Sequence, residues 1–322
     1  MKRAIVTGAT GFVGANLARR LLHDGHEVHL LVRPEYQAWR IADIQPHVHV
    51  HEVQLTDSDA VLPLMHRIKP DWIFHLAAYG AYSSQTNVKQ MLATNITATA
   101  TLVEACLETG FESFINTGSS SEYGFKDHPP TEEDWLDPNS YYAVTKASAT
   151  MFCRYTARSR GVSIPTLRLY SVYGPFEEPT RLIPTLIMRG LASEFPPLVN
   201  PETARDYVYV DDVMDAYLLA ATHPGQDLGA VYNVGTGIQT SLREVVDVAR
   251  DVLNITTEAQ WGTMPGRIWD TSVWVADPHA IKETLDWTPQ YSFESGFRRT
   301  VEWLQENPDM QQFYARMLSL PR

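Results

Sequence analysis

The sequence predicts an α/β fold: a doubly wound parallel sheet with a smaller C-terminal lobe. Three observations point to it. Short β-branched runs alternate with segments of helical periodicity through the first half of the chain. A glycine-rich turn joins the first of these runs to the first helical segment. After Tyr173-Gly174-Pro175 the alternation loosens into proline-rich pieces and isolated helices.

Taken in order, "RAIVTG" is a β-branched run, and "FVGANLARRLLHDG" has helical spacing and stops at Gly25. "HEVHLLVR" and "DWIFHLAA" read as buried strands, and "VKQMLATNITATATLVEACLETG" as one long helix ending at Gly110. "FESFINTG" is a strand, "SYYAVTKASATMFCRYTARSRG" a helix and "SIPTLRLY" a strand. Strands separated by helices at this spacing make βαβ units, hence parallel pairing with helices on both faces. Later, "LREVVDVARDVL" and "FESGFRRTVEWLQEN" carry helical periodicity. The expected division is a sheet domain over 1–170 plus 206–236, and a lobe over 171–205 plus 237–322 that covers the carboxyl ends of the strands. Open α/β sheets bind ligands there.

Composition narrows the function. The chain has 322 residues, 44% hydrophobic and 20% charged, enough for a sizeable core. A formal net charge of −12 argues against a nucleic-acid groove, while leaving room for a local basic pocket. Cys106 and Cys153 have no motif spacing, so neither a disulfide framework nor a zinc site is expected, and no metal is assigned. No apolar run reaches the roughly 18–20 residues of a membrane span, and no leader pattern precedes the first strand. A soluble cytoplasmic protein is the expectation.

The turn "VTGATGFVG" places Gly8, Gly11 and Gly14 between strand and helix. Glycines there let backbone and helix N-terminus approach a pyrophosphate, so a dinucleotide is the expected cofactor. An acid about 20 residues further on commonly takes the ribose 2′-hydroxyl of NAD. Here the second strand ends in Val32 and Arg33. A guanidinium pairs a 2′-phosphate through two charge-assisted hydrogen bonds, which favours NADP(H), with NAD(H) the alternative. In "SYYAVTKAS", Tyr142 and Lys146 stand four apart on one helix face. A nearby ammonium is expected to lower the phenol towards acid–base use.

These motifs together resemble the extended short-chain dehydrogenases/reductases, with their nucleotide-sugar epimerases, 4,6-dehydratases and 4-ketoreductases. The resemblance runs through "TGATGFVG", "HLAA", "NITATATLVEA", "YYAVTK", "RLYSVYGP", "ARDYVYVDDV", "YNVGTG" and "LDWTPQYSFESGFRRTVEW". It implies a Rossmann-like fold and a nucleotide-diphosphate sugar as substrate. Ser119, Tyr142 and Lys146 would be the catalytic residues. Gly8, Thr10, Gly11, Phe12, Val13, Gly14, Arg33, Ala77, Ala78 and Asn95, with Tyr142 and Lys146, would hold the cofactor. Ser120, Glu122, Ser171, Arg205 and Arg267 would meet the substrate, Arg205 at its diphosphate. A homodimer through the helices at 87–109 and 141–161 is expected as well.

The stretch "TGSSSEYGF" bears on which reaction the resemblance implies. The 4,6-dehydratases follow the catalytic serine or threonine with acids that protonate a leaving hydroxyl, and here those positions are Ser120 and Ser121. Glu122 arrives one residue late. The pattern is most similar to GDP-4-keto-6-deoxy-mannose reductases, so an NADP(H)-dependent 4-ketoreductase is expected. A 4-epimerase with tightly held cofactor is the alternative, followed by a dehydratase and by a non-catalytic dinucleotide-binding protein.

Overall fold

The computed structural model describes residues 1–223, 225–264 and 273–319. Strand β1 (Arg3–Thr7) runs into the glycine loop, and helix α1 (Phe12–His23) leaves it. Ala15, Leu17, Ala18 and Leu21 form the buried stripe of α1. A fully buried leucine of this kind stabilises by about 1.5–3 kcal/mol. Strands β2 (Glu27–Val32) and β3 (His49–Glu52) follow. Helix α2 (Ser58–Ile68) starts where the Asp57 carboxylate accepts the N–H groups of Asp59 and Ala60. Neither β3 nor α2 is among the expected elements, although Val61, Leu64, Met65 and Ile68 of α2 recur at helical spacing. After β4 (Trp72–His75), α3 (Val88–Leu92) passes through one wider turn, Ala93–Thr97, into α4 (Ala98–Thr109). The single helix expected here is thus interrupted. Such wide turns recur at functional sites.

Strand β5 (Ser113–Ser119) leads to a short 3₁₀ turn, and α5 (Tyr141–Arg160) is capped by Ser140 and ended by left-handed Gly161. Next come β6 (Thr166–Leu169), β7 (Ser171–Tyr173), α6 (Leu182–Gly190), β8 (Ala204–Arg205) and β9 (Tyr207–Tyr209). The chain continues through α7 (Val210–Thr222), β10 (Val231–Val234), β11 (Thr240–Ser241), α8 (Leu242–Leu253), α9 (His279–Leu285), α10 (Phe293–Glu306) and α11 (Pro308–Ser319).

Seven parallel strands form one sheet in the order β10-β6-β5-β4-β1-β2-β3. One face packs Ile5, Val61, Met65, Leu102 and Phe114 beneath α2 and α4. The other packs Leu17, Leu21, Val213 and Tyr217, and that core continues without a break into Ile183, Val246 and Phe297 of the C-terminal part. The short pairs β7–β9 and β8–β11 form two small sheets of their own. Among the described residues, no helix is long and apolar enough to cross a membrane.

Strand order reverses between β1 and β4, which opens a crevice at their carboxyl ends. Gly8 has φ +68°, and a Cβ there would stand 2.7 Å from the Ala77 nitrogen just past β4. A Cβ on Gly14 would stand 2.4 Å from the Gly8 carbonyl oxygen. Both positions therefore exclude a side chain, and the loop lies flat in the crevice.

Candidate active site

The loop's conformation follows from these contacts. Helix α1 has Gly11 at its N-cap, without a side-chain cap and without an acid in its first turn. Its leading N–H groups are left to a ligand, as an anion-binding helix N-terminus requires. A cradle that a Cβ would fill and an uncapped helix end fit a dinucleotide pyrophosphate. Thr10, Phe12 and Val13 are half-buried beside it. Ala77 and Ala78 lie on the opposite wall, after β4.

Beneath the loop runs a buried relay with one direction. The Thr7 hydroxyl accepts the N–H groups of Leu76 and Ala77, both at 3.1 Å, and meets His75 Nδ1 at 2.8 Å. His75 Nε2 lies 2.9 Å from the Thr99 hydroxyl, which donates to the Asn95 carbonyl at 2.8 Å. Only the Nε2–H tautomer satisfies every partner. Burial, with Lys146 nearby, pushes His75 down to about 3, so the ring is neutral.

The second wall is built on β5 and α5. The Ser119 hydroxyl accepts the Ser121 N–H at 3.2 Å and lies 2.8 Å from the Ser121 hydroxyl. The same hydroxyl stands beside the Tyr142 phenol and acts on it electrostatically. Ser140 caps α5 by accepting the Ala143 N–H at 3.2 Å, which puts Tyr142 in the first turn and Lys146 one turn on. Lys146 is 4% exposed, and its ammonium makes no hydrogen bond to another described residue. Burial pulls it below the usual lysine range, opposed by Glu122 and Cys153. Tyr142 is pushed up to about 12, by burial first, against the opposing effect of Ser119. The expected lowering by Lys146 is therefore corrected for this state. Burial wins, and the phenol is protonated at neutral pH.

Glu122 corrects a second expectation. It is fully buried, with one oxygen accepting the Ser119 N–H at 2.8 Å and the other the Arg168 Nε–H at 2.9 Å. Arg168 also donates to the Tyr123 hydroxyl at 2.8 Å, which donates to Asn233 Oδ1 at 2.8 Å. With both oxygens occupied and no exposed surface, Glu122 is a positioning residue for Ser119 and not a substrate contact. Asn95 is corrected likewise. Its amide accepts the Tyr79 N–H at 2.8 Å and donates to the Tyr79 carbonyl and the Thr145 hydroxyl at 2.8 and 2.9 Å. It ties the loop after β4 to α5, with the side chain buried among these partners at 1% exposure.

The other expected residues are more scattered. Ser120 is 7% exposed behind Ser119. Ser171 is half-buried in β7, its N–H on the Asp206 carbonyl at 2.9 Å. Arg205, half-buried in β8, donates to the Ala204 carbonyl at 2.7 Å and stacks 5.1 Å from the centre of the Trp274 ring. Asp206 takes the N–H groups of Thr236, Gly237 and Ala276 at 2.8, 3.0 and 3.0 Å. Arg33 is exposed just beyond β2 and forms no ion pair with a described residue. Arg267 lies outside the described residues.

Sequence reasoning missed three groups. Thr7, His75 and Thr99 form the relay, and an alternating polar residue at the end of each strand was the available signal. Arg40, 6% exposed, donates to the carbonyls of Thr10 and Phe176 at 3.2 and 2.8 Å and to Glu178 at 2.9 Å. It thereby joins the glycine loop to the segment after Pro175. Arg181 and Tyr82 lie within electrostatic reach of the Tyr142 phenol. Arg181 pairs with Glu177 at 3.0 Å, a four-residue spacing visible in "FEEPTR". Glu177 Oε2 is buried without a partner, and burial, opposed by Arg181, pushes this carboxyl up to about 7.

A parallel doubly wound sheet with a glycine cradle and a Ser–Tyr–Lys cluster at its carboxyl edge defines an extended short-chain dehydrogenase/reductase. Residues 4–235 match the model of the NAD dependent epimerase/dehydratase family, and the chain belongs to that family. It is 30% identical to a UDP-glucose 4-epimerase of Mycolicibacterium smegmatis, over 94% of this chain and 98% of that one. It is 29% identical to an Arabidopsis thaliana trifunctional UDP-glucose 4,6-dehydratase, 3,5-epimerase and reductase, over 96% of this chain. The chain spans about half of that protein, 48% of its length. A UDP-glucose 4-epimerase from Thermotoga maritima, solved with UDP-glucose, superposes with a TM-score of 0.85 at 27% identity, covering 95% of this chain and 99% of that one. MoeE5, solved with UDP-glucose and NAD, gives 0.80 at 30% identity, over 96% and 100%.

Two consequences are measurable. Glu122→Ala strands the Arg168 charge in the interior, and the loss expected is about 3–5 kcal/mol by denaturant titration; a loss under about 1 kcal/mol would show that the pair does not hold the site. Glu177 titrates at 4.5 when unfolded and at about 7 when folded, so the folded state holds more protons between those values. Its contribution to stability therefore declines as pH rises through that window. Glu177→Gln should melt above wild type at pH 8, with the gap closing towards pH 4.5; an unchanged gap across that range contradicts the assignment.

Proposed function

We propose that the chain is an NADP(H)-dependent 4-ketoreductase of nucleotide-diphosphate sugars. The observation that carries this reading is the protonated Tyr142 phenol beside Ser119, with Lys146 one turn along and unengaged. A bound nicotinamide dinucleotide supplies the hydride that adds to C4 of the sugar. Tyr142 gives its proton to the C4 oxygen, and the Ser119 hydroxyl holds that oxygen. Lys146 is placed to hold the nicotinamide ribose, and its buried positive charge favours the phenolate that proton donation leaves behind. Arg33 takes the 2′-phosphate, while Arg205 and Arg267 take the diphosphate and Ser120 and Ser171 border the sugar. The retirement of Glu122 into an ion pair leaves no acid beside Ser119 to expel a hydroxyl, which argues against dehydration.

A second reading is a 4-epimerase with resident cofactor. The similarity to the M. smegmatis epimerase over nearly the full length of both chains favours it. The same three residues would serve, Tyr142 first taking the C4 hydroxyl proton and then returning it.

The two-lobe division at 170/171, 205/206 and 236/237 remains part of this proposal, as does a homodimer. Val144, Met151 and Tyr155 form an exposed stripe along α5, 42%, 65% and 75% accessible, with Leu92 at the end of α3 45% accessible. An apolar stripe of this kind suits a helix-to-helix interface. Sedimentation should give twice the chain mass, and Met151→Asp should halve it; a wild-type monomer refutes the dimer.

The purified protein incubated with NADPH and a 4-keto-6-deoxy nucleotide sugar should consume the cofactor stoichiometrically. Conversion of UDP-glucose to its C4 epimer without net NADPH loss would replace the first reading by the second. Tyr142→Phe should lower turnover by about 10²–10⁴-fold while dinucleotide affinity changes little; near wild-type rates would overturn the mechanism. Arg33→Glu should weaken NADPH binding much more than NADH binding in fluorescence titrations. Equal losses of the two would remove Arg33 from the 2′-phosphate.

A further inference from the structure

A second set of chemically capable side chains lies at the opposite end of the sheet. Strands β2 and β3 pair in parallel with His29 level with His49 and Leu31 level with His51. Since alternate residues share a face, Glu27, His29, His49 and His51 all project from one side of the sheet's outer edge. His29 Nε2 is 3.1 Å and His49 Nε2 3.8 Å from Glu27 Oε1, and the ligand atoms of all three residues lie within 4.8 Å of one another. Among the described residues, no other group of three or more histidine, cysteine or carboxylate side chains meets this spacing. The His29 ring stacks on His49 and His51 with centroids 4.7 and 5.3 Å away.

We propose that Glu27, His29 and His49 form a binding site for one divalent transition-metal ion, zinc by the chemistry of its donors. Two imidazole nitrogens and one carboxylate oxygen are a borderline-soft set that suits zinc and disfavours magnesium and calcium. Zinc bonds of about 2.0–2.1 Å in a tetrahedron put ligand atoms roughly 3.3 Å apart, against 3.1 and 3.8 Å from Glu27 to the two imidazoles. The side chain of His49 is 60% exposed, which leaves an entry path and room for water as the fourth ligand.

A further histidine supports the first. His29 Nδ1 lies 3.0 Å from His51 Nε2, the outer hydrogen bond that metal-bound imidazoles ordinarily make. Without metal, His29 Nε2–H donates to Glu27, and Nδ1 accepts from His51. With metal on Nε2, the His29 proton moves to Nδ1 and is donated to His51 Nε2, whose own proton moves to its Nδ1. Both rings stay neutral, so binding releases no proton from either.

Arg3 from β1 and Arg67 from α2 are the cations within electrostatic reach of these histidines. Arg3 is neutralised in part by Asp71, 3.7 Å away. The expectation of no metal rests on the cysteines, and histidines at alternate positions of two neighbouring strands are a different donor set. From Glu27 to Arg33 is about 20 Å along the strand, so the site stands apart from the crevice.

The test is calorimetric titration of the full chain, stripped with chelator, against Zn²⁺ in the presence of excess Mg²⁺. Wild type should bind one equivalent with micromolar or tighter affinity and melt at a higher temperature when loaded. His49→Ala, an exposed position, and the near-isosteric Glu27→Gln should each weaken that equivalent by at least about tenfold and abolish the rise in melting temperature. Turnover without zinc should match wild type in both variants. Absence of a saturable equivalent in the wild type, or equal affinity in wild type and His49→Ala, overturns the proposal.

Discussion

The Glu122 carboxylate joins two strands where Ser119 leaves the sheet, one oxygen taking the Ser119 N–H and the other the Arg168 Nε–H. Much at this end of the sheet hangs on that arrangement. It fixes the backbone of Ser119, and so the direction from which the hydroxyl meets Tyr142. Through Arg168 and Tyr123 it reaches Asn233 on β10, so three parallel strands share one polar chain. A buried ion pair is a poor source of net stability, because desolvation offsets much of the attraction. What it supplies here is geometry. Two charges that must find each other in the interior leave the serine a single orientation.

The other wall is organised by hydrogen bonds without charge. Asn95 sits in the wide turn between α3 and α4, and its amide holds Tyr79 and Thr145 at once. The loop after β4 and the helix that carries Tyr142 are thereby kept at a constant separation. Arg40 performs the equivalent task across the crevice, linking Thr10 in the glycine loop to Phe176 and Glu178. The segment after Pro175 and the glycine loop are thus held by one guanidinium.

The strand–loop–helix opening is legible in "RAIVTGATGFVG" because its determinants are local: β-branched residues, three glycines and the helical stripe that follows. Tyr142 and Lys146 are legible for the same reason, being one helical turn apart. Strand β3 was hidden because "HVHE" alternates histidine with valine and glutamate and has no run of apolar residues. The wide turn at Asn95 was hidden because its cause is tertiary: the amide's partners are 16 and 50 residues away. Glu122 was misread for a related reason. Next to the serines it looks like a substrate acid, and only Arg168, 46 residues on, withdraws it. Periodicity reports what a residue's neighbours are, and burial by a distant partner leaves no mark on it.

The neutral His75 has a consequence for how the enzyme's rate answers to acidity. A ring held in one tautomer, with a pKa of about 3, neither gains nor loses charge over the whole range in which enzymes are usually assayed. The floor of the crevice is electrically constant under the ligands. A bend in a pH–rate profile of this protein therefore originates in groups other than His75, the Glu177 carboxyl at about 7 among the candidates.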